Sequence, residues 1–208
     1  MALYLVVMCM FACLFSVILP SIYLKEKRNV LSQCSELEIE QNQPLKLPVF
    51  ANFMFIMPVI MFYLSGDMVL SIFFFFFAVV AYTDASARWI PDCIIYALLV
   101  ISMIASRTTD LETACWSIFF YIIPALILSF YGQIVRNETW IASGDYYVFP
   151  AVALMILPQY AAGIMLINLF IVLLVSRWVS KVPLVTVAFI TFTGYQLCLL
   201  SGVLSYHF

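Results

Sequence analysis

Long apolar runs separated by short polar segments make up most of this chain. About 20 apolar residues, at roughly 1.5 Å per residue, are needed for a helix that crosses about 30 Å of membrane hydrocarbon. Runs close to that length or longer cover Leu3–Leu24, Leu47–Leu64, Met68–Thr83, Ile90–Ala105, Ala114–Val135, Tyr146–Ser176 and Leu184–Leu204. The pattern predicts an all-α fold, a polytopic membrane helix bundle.

The run Tyr146–Ser176 leaves the number of spans open, because it fits either one long tilted helix or two spans broken at Leu157–Gln159. The distribution of basic residues decides between these. With eight spans and the N-terminus outside, every lysine and arginine except Arg107 falls on the cytoplasmic side, whereas with seven spans Arg177 and Lys181 also move outside. We therefore expect about eight transmembrane helices, with Tyr146–Leu157 a short sixth span and Tyr160–Ser176 the seventh.

The composition narrows the class further. Of the 208 residues, 66% are hydrophobic and 10% are charged, which leaves no room for a separate soluble domain. Residues 1–208 are therefore expected to form a single integral membrane domain, in which the longest polar segment, residues 25–46, is a short cytoplasmic loop. The net charge of -2 provides no basic surface for nucleic acid, so the expected surroundings are the lipid bilayer and not a nucleic acid partner.

The six cysteines do not have the spacing of a metal site. Cys9 and Cys13 fall inside the first apolar run, where we expect small buried thiols. Cys34 is the only cysteine in a polar loop, and the sequence contains no CxxC. The sequence therefore predicts no bound metal.

Two aspartates lie where apolar runs meet polar loops: Asp84 in TDASARWIPD and Asp145 in IASGDYYVF. Ionisable groups at membrane depth are costly to keep and usually have a function. In the eight-span arrangement both face the cytoplasm, whereas Asp67 lies on the other side. Two carboxyl groups that share a site can hydrolyse a peptide bond, because one can stay ionised and take a proton from water while the other stays protonated and polarises the carbonyl group.

These motifs resemble those of the type IV prepilin peptidases, the bacterial GxGD-type membrane aspartyl proteases. The similarity covers roughly residues 83–194 as a peptidase-like region. It rests on Asp84, Arg88, Pro91-Asp92, Gly144-Asp145 and Lys181-Val182-Pro183.

The resemblance implies an aspartic endopeptidase of the bacterial inner membrane that needs no cofactor. It would cleave the leader peptide of type IV prepilin or pilin-like substrates on the cytoplasmic face, in a pilus or secretion system. Asp84 and Asp145 would be catalytic, and Gly144, Arg88, Pro91 and Asp92 would support them.

The sequence departs from the family pattern at several points. Ala142 stands where the first glycine of GxGD is usual, and Tyr147 where the family usually has lysine. Larger members carry paired CxxC motifs in the first cytoplasmic loop and also N-methylate the cleaved pilin. The loop here contains only Cys34, so this is a small form in which we expect neither methylation nor use of S-adenosylmethionine.

Other interpretations remain open at this stage. Asp84 could simply close one helix and Asp145 could cap another. Arg88 is interpreted as a lipid-headgroup anchor and Asp92 as a helix-start residue. A non-catalytic membrane scaffold of a pilus or secretion assembly would need neither carboxyl group, and a small transporter component would need polar residues along its spans, of which the apolar runs have few.

Overall fold

The computed structural model describes residues 2–31, 47–88, 90–106, 110–137, 140–142, 144–178 and 182–204. These residues form eight α-helices and no strand. The helices are α1 (Ala2–Leu31), α2 (Pro48–Ser65), α3 (Met68–Ala87), α4 (Asp92–Ala105), α5 (Leu111–Tyr131, continued by a π-helical segment Gly132–Arg136), α6 (Asp145–Ala153), α7 (Pro158–Val175) and α8 (Leu184–Leu200). The predicted all-α fold is thus confirmed.

Four of these helices are long and apolar enough to cross a membrane: α2, α3, α5 with its extension, and α7. Asp92–Ala105, Leu184–Leu200 and part of α1 form shorter apolar helices. Helix α1 continues to Leu31, into the segment that was expected to be a loop. The rest of that segment, residues 32–46 with Cys34, lies outside the described residues.

A tight turn joins α2 to α3. Gly66 ends α2 in a left-handed conformation (φ 69°), which glycine adopts without the steric cost that other residues incur. Asp67 is the N-cap of α3, where its carboxylate accepts a 2.8 Å hydrogen bond from the Val69 N–H. Asp67 therefore forms the polar end of a tight loop, as predicted.

The ambiguous run Tyr146–Ser176 folds as two helices, α6 and α7. Helix α6 ends at Ala153, and α7 begins at Pro158, which lacks an N–H and favours the extended geometry of Leu157 before it. Neighbouring helices satisfy the freed backbone groups, as a membrane interior requires. The Leu157 N–H donates to the Tyr195 hydroxyl at 3.1 Å, and the Ile156 carbonyl accepts from the Ser117 hydroxyl at 2.7 Å.

An aromatic cluster joins α3 to α8. Phe73, Phe74 and Phe77 of α3 are fully buried against Phe189 and Phe192 of α8, with ring centroids 5.3 to 6.2 Å apart. Such aromatic pairs contribute about 0.5–1.5 kcal/mol each beyond the area that they bury. These three phenylalanines are therefore packing rather than lipid-facing surface, and they hold the first half of α3 against the middle of α8.

The prediction of buried thiols in the first run is wrong. Cys9 and Cys13 are exposed on the outer surface of α1, because the buried stripe of that helix consists of Met8, Ala12 and Ser16. These residues are four apart and so lie on one helix face. The cysteines are one position out of register with that face, which points them away from the bundle.

Candidate active site

Asp84 lies in the last turn of α3 and is 6% exposed. Its Oδ2 atom accepts a hydrogen bond of 3.0 Å from the backbone N–H of Thr186, in the first turn of α8. The first N–H groups of a helix have no partner within the helix, and the N-cap residue of α8, Pro183, provides no side-chain acceptor. Asp84 therefore does more than end α3, since its carboxylate accepts a hydrogen bond from a backbone N–H that would otherwise lack a partner at the start of α8.

The Thr186 side chain also contacts Asp84. Its Oγ1 atom lies 3.3 Å from Asp84 Oδ2 and 2.8 Å from the carbonyl oxygen of Ala81, one turn earlier in α3. Thr186 is buried. Both its backbone N–H and its hydroxyl thus hold the carboxyl group of Asp84 against α8.

Asp145 is the first residue of α6 and is 8% exposed. Gly144, and not Asp145, occupies the N-cap position of this helix. The Asp145 N–H donates to the Ala142 carbonyl at 3.1 Å. This turn fixes the backbone of Asp145 at the start of α6.

The structure brings the two carboxyl groups together at one end of the bundle. They come from α3 and α6, both of which pack against α8, and they are close enough for their charges to interact. Among the side chains whose burial the structure describes, those of Asp84 and Asp145 are the only charged ones that are buried. Two buried acids whose charges interact form an arrangement in which ionisation of one opposes ionisation of the other.

Comparison with protein families agrees with this geometry. The model of the type IV leader peptidase family matches residues 71–177, which is more than half of the chain. This chain belongs to the type IV leader peptidase family. Comparison with curated proteins gave no match, and neither did comparison with solved structures. The match to the leader peptidase family contains both aspartates.

Arg88, Pro91 and Asp92 lie where α3 ends and α4 begins. Arg88 ends α3 in a left-handed conformation (φ 53°), and its N–H donates to the Asp84 carbonyl at 3.0 Å. Its exposed side chain is near enough for its charge to interact with the Asp84 carboxylate. Pro91 is the N-cap of α4 and Asp92 its first residue, so the interpretation of Asp92 as a helix-start residue is confirmed.

The glycine before Asp145 is not required by the described fold. Gly144 has an ordinary helical φ of -62°, and a methyl group added to it would meet no atom within 4 Å. Among the described residues, Ala142 is not one of the non-glycine residues with positive φ, so alanine fits at this position without strain. Tyr147, at the position of the usual lysine, is 65% exposed.

The described residues contain no group of three or more histidine, cysteine or acidic side chains placed to hold a metal ion. Sequence reasoning missed Thr186, the residue that anchors Asp84. The available signal was its position, because it follows Lys181-Val182-Pro183, the motif that marks the start of the last helix. Lys181 itself lies outside the described residues.

Proposed function

We propose that the chain is a membrane aspartic endopeptidase that removes the leader peptide of type IV prepilins or pilin-like proteins. The observation that carries the proposal is the pair of buried carboxyl groups, Asp84 and Asp145. They come from separate helices, their charges interact, and both fall within the match to the leader peptidase family.

The chemistry needs only the two carboxyl groups and a water molecule. The ionised carboxylate takes a proton from water as the water oxygen bonds to the scissile carbonyl carbon, and the carboxylic acid gives its proton to the carbonyl oxygen. In the second step the carbon–nitrogen bond breaks. The nitrogen leaves as an amine with the proton taken from water, and the carbonyl oxygen returns its proton to the other carboxylate. Both groups thus recover their starting states.

The proposed topology has eight spans with the N-terminus outside, in the bacterial inner membrane. The paired contacts of α7 and α8 support the last two crossings. Leu157 meets Tyr195, and Asn168, further along α7, meets Thr191, which is earlier in α8. The two helices are therefore antiparallel, as successive spans must be. This topology places the ends of α3, α6 and α8 that carry the two acids on the cytoplasmic side.

The substrate's own apolar helix would supply much of the positioning. A prepilin has a basic leader followed by a long apolar helix, which would lie against the bundle in the bilayer and present its cleavage junction at the membrane surface. Holding both reactants in the membrane converts a collision between two molecules into a local encounter. Methylation of the product and S-adenosylmethionine form no part of the proposal.

A non-catalytic scaffold is the second candidate, because one observation favours it. Asp84 satisfies the N-terminus of α8, which gives this residue a structural role that needs no catalysis. Asp145 supports only a local turn. Burying it beside another carboxyl group costs free energy, and such costly pairs are typical of functional sites. Asp145 is therefore the residue whose substitution separates the two candidates.

The test uses the purified full chain in proteoliposomes and a reporter with a basic leader, a glycine and an apolar helix. Mass spectrometry of the products should show cleavage at the leader junction by the wild type. Asp145→Asn should abolish cleavage, while the control Asp67→Asn, at the opposite end of α3, should process the reporter normally. Undiminished cleavage by Asp145→Asn would reject the catalytic pair, whereas a wild type that cleaves no reporter would favour the scaffold.

A further inference from the structure

Thr186 is a buried hydroxyl residue whose Oγ1 atom lies within hydrogen-bonding distance of two oxygens on α3, Ala81 O at 2.8 Å and Asp84 Oδ2 at 3.3 Å. A hydroxyl has one hydrogen, so it can donate to only one of these oxygens at a time. The other oxygen faces the lone pairs of the hydroxyl.

The two hydrogen positions suit the two protonation states of Asp84. When Asp84 is ionised, the Thr186 hydroxyl can turn its hydrogen to Oδ2 and donate to the carboxylate. When Asp84 carries a proton, the hydroxyl can accept from the carboxylic acid and turn its own hydrogen to the Ala81 carbonyl. The backbone N–H of Thr186 stays directed at Oδ2 at 3.0 Å in either state.

We propose that Thr186 is a positioning residue that keeps the Asp84 carboxyl group in one orientation through both protonation states of the catalytic cycle. The proposal rests on the proposed function, since it assumes that Asp84 exchanges a proton during hydrolysis. Asp145 differs in that its local turn is closed by the Ala142 backbone, whose carbonyl accepts from the Asp145 N–H at 3.1 Å.

This difference assigns roles within the pair. A carboxylate that accepts hydrogen bonds from a backbone N–H and a hydroxyl is well suited to the ionised role, because those donors favour the charged form. Asp84 thus acts as the base that takes the proton from water. Asp145 then acts as the acid that protonates the carbonyl oxygen.

The experiment compares Thr186→Val and Thr186→Ser with a matched control, Thr193→Val, in the reporter assay. Thr193 is also buried on α8, but its hydroxyl donates only to the Phe189 carbonyl of its own helix, at 2.7 Å. Loss of one hydrogen bond to a charged group corresponds to a roughly 10- to 100-fold change. We expect Thr186→Val to lose that much kcat with little change in KM, Thr186→Ser to recover most of it, and Thr193→Val to match the wild type.

A second readout needs no activity. Thermal unfolding in detergent of Asp84→Ala, Thr186→Val and the double variant should show a combined drop in Tm smaller than the sum of the single drops, because both changes remove one contact. An additive drop, or equal kcat for Thr186→Val and Thr193→Val, would overturn the positioning role. If the Tm coupling holds but the wild type cleaves no reporter, the proposed function has failed, and the catalytic role of Thr186 with it.

Discussion

The cap that Asp84 provides for α8 and the catalytic role that we propose for it can be separated by comparing two substitutions. Asp84→Asn keeps an oxygen that can accept from the Thr186 N–H and removes the charge that faces Asp145. Asp84→Ala leaves that buried N–H without a partner, which costs about 1–3 kcal/mol. The free energy of unfolding should therefore be lower for the alanine variant than for the asparagine variant by about 2 kcal/mol.

The measurement is thermal unfolding of both variants in the same detergent, beside leader processing in membranes. A difference of about 2 kcal/mol corresponds to roughly 4–8 °C in Tm for a chain of this size. Asp84→Asn should unfold at or above the wild-type temperature, because it relieves repulsion between two buried acids, yet neither variant should process the reporter. Equal Tm values for the two variants would refute the cap, and processing by Asp84→Asn would refute the catalytic role.

Three further predictions concern other parts of the chain. Gly66→Ala should lower the free energy of unfolding by about 1 kcal/mol, because Gly66 has a left-handed backbone conformation (φ 69°). Gly144→Ala should instead leave Tm unchanged and slow leader processing. Processing at the wild-type rate by Gly144→Ala would show that the substrate does not need a glycine there. Metal analysis should find no stoichiometric zinc, and Cys34→Ser should stay active; one zinc per chain that is lost in this variant would contradict this. Reporter fusions after Arg28, Arg88, Arg136 and Lys181 should report a cytoplasmic location, whereas a fusion at the C-terminus should report the outside. A cytoplasmic C-terminus would reject the eight-span topology.

Much of the fold follows from patterns that act locally. Apolar runs bounded by polar residues predicted the helices, and the distribution of basic residues favoured the break at Leu157–Gln159, which the structure has between α6 and α7. The ends were less accurate, because α1 continues to Leu31 and α4 begins at Asp92 rather than Ile90. An apolar run in the sequence does not show at which residue the backbone hydrogen bonds of a helix begin or end.

Contacts between distant segments could not be predicted from local patterns. Asp84 and Asp145 were paired from their predicted side of the membrane and from the family motifs. The bond from Thr186 to Asp84 depends on how α3 and α8 align, which the buried phenylalanine cluster determines. The outward direction of Cys9 and Cys13 likewise depends on which face of α1 packs, and in an almost wholly apolar helix the sequence marks no face.

The central claim, that Asp84 and Asp145 act as one catalytic unit, is tested most directly by the rates of three variants on the same prepilin reporter. Residues that act as a unit give non-additive losses. We expect Asp84→Asn, Asp145→Asn and the double variant to lose processing to the same extent while inserting at wild-type levels. Appreciable processing by either single variant, or a double variant that is markedly slower than both, would contradict the account.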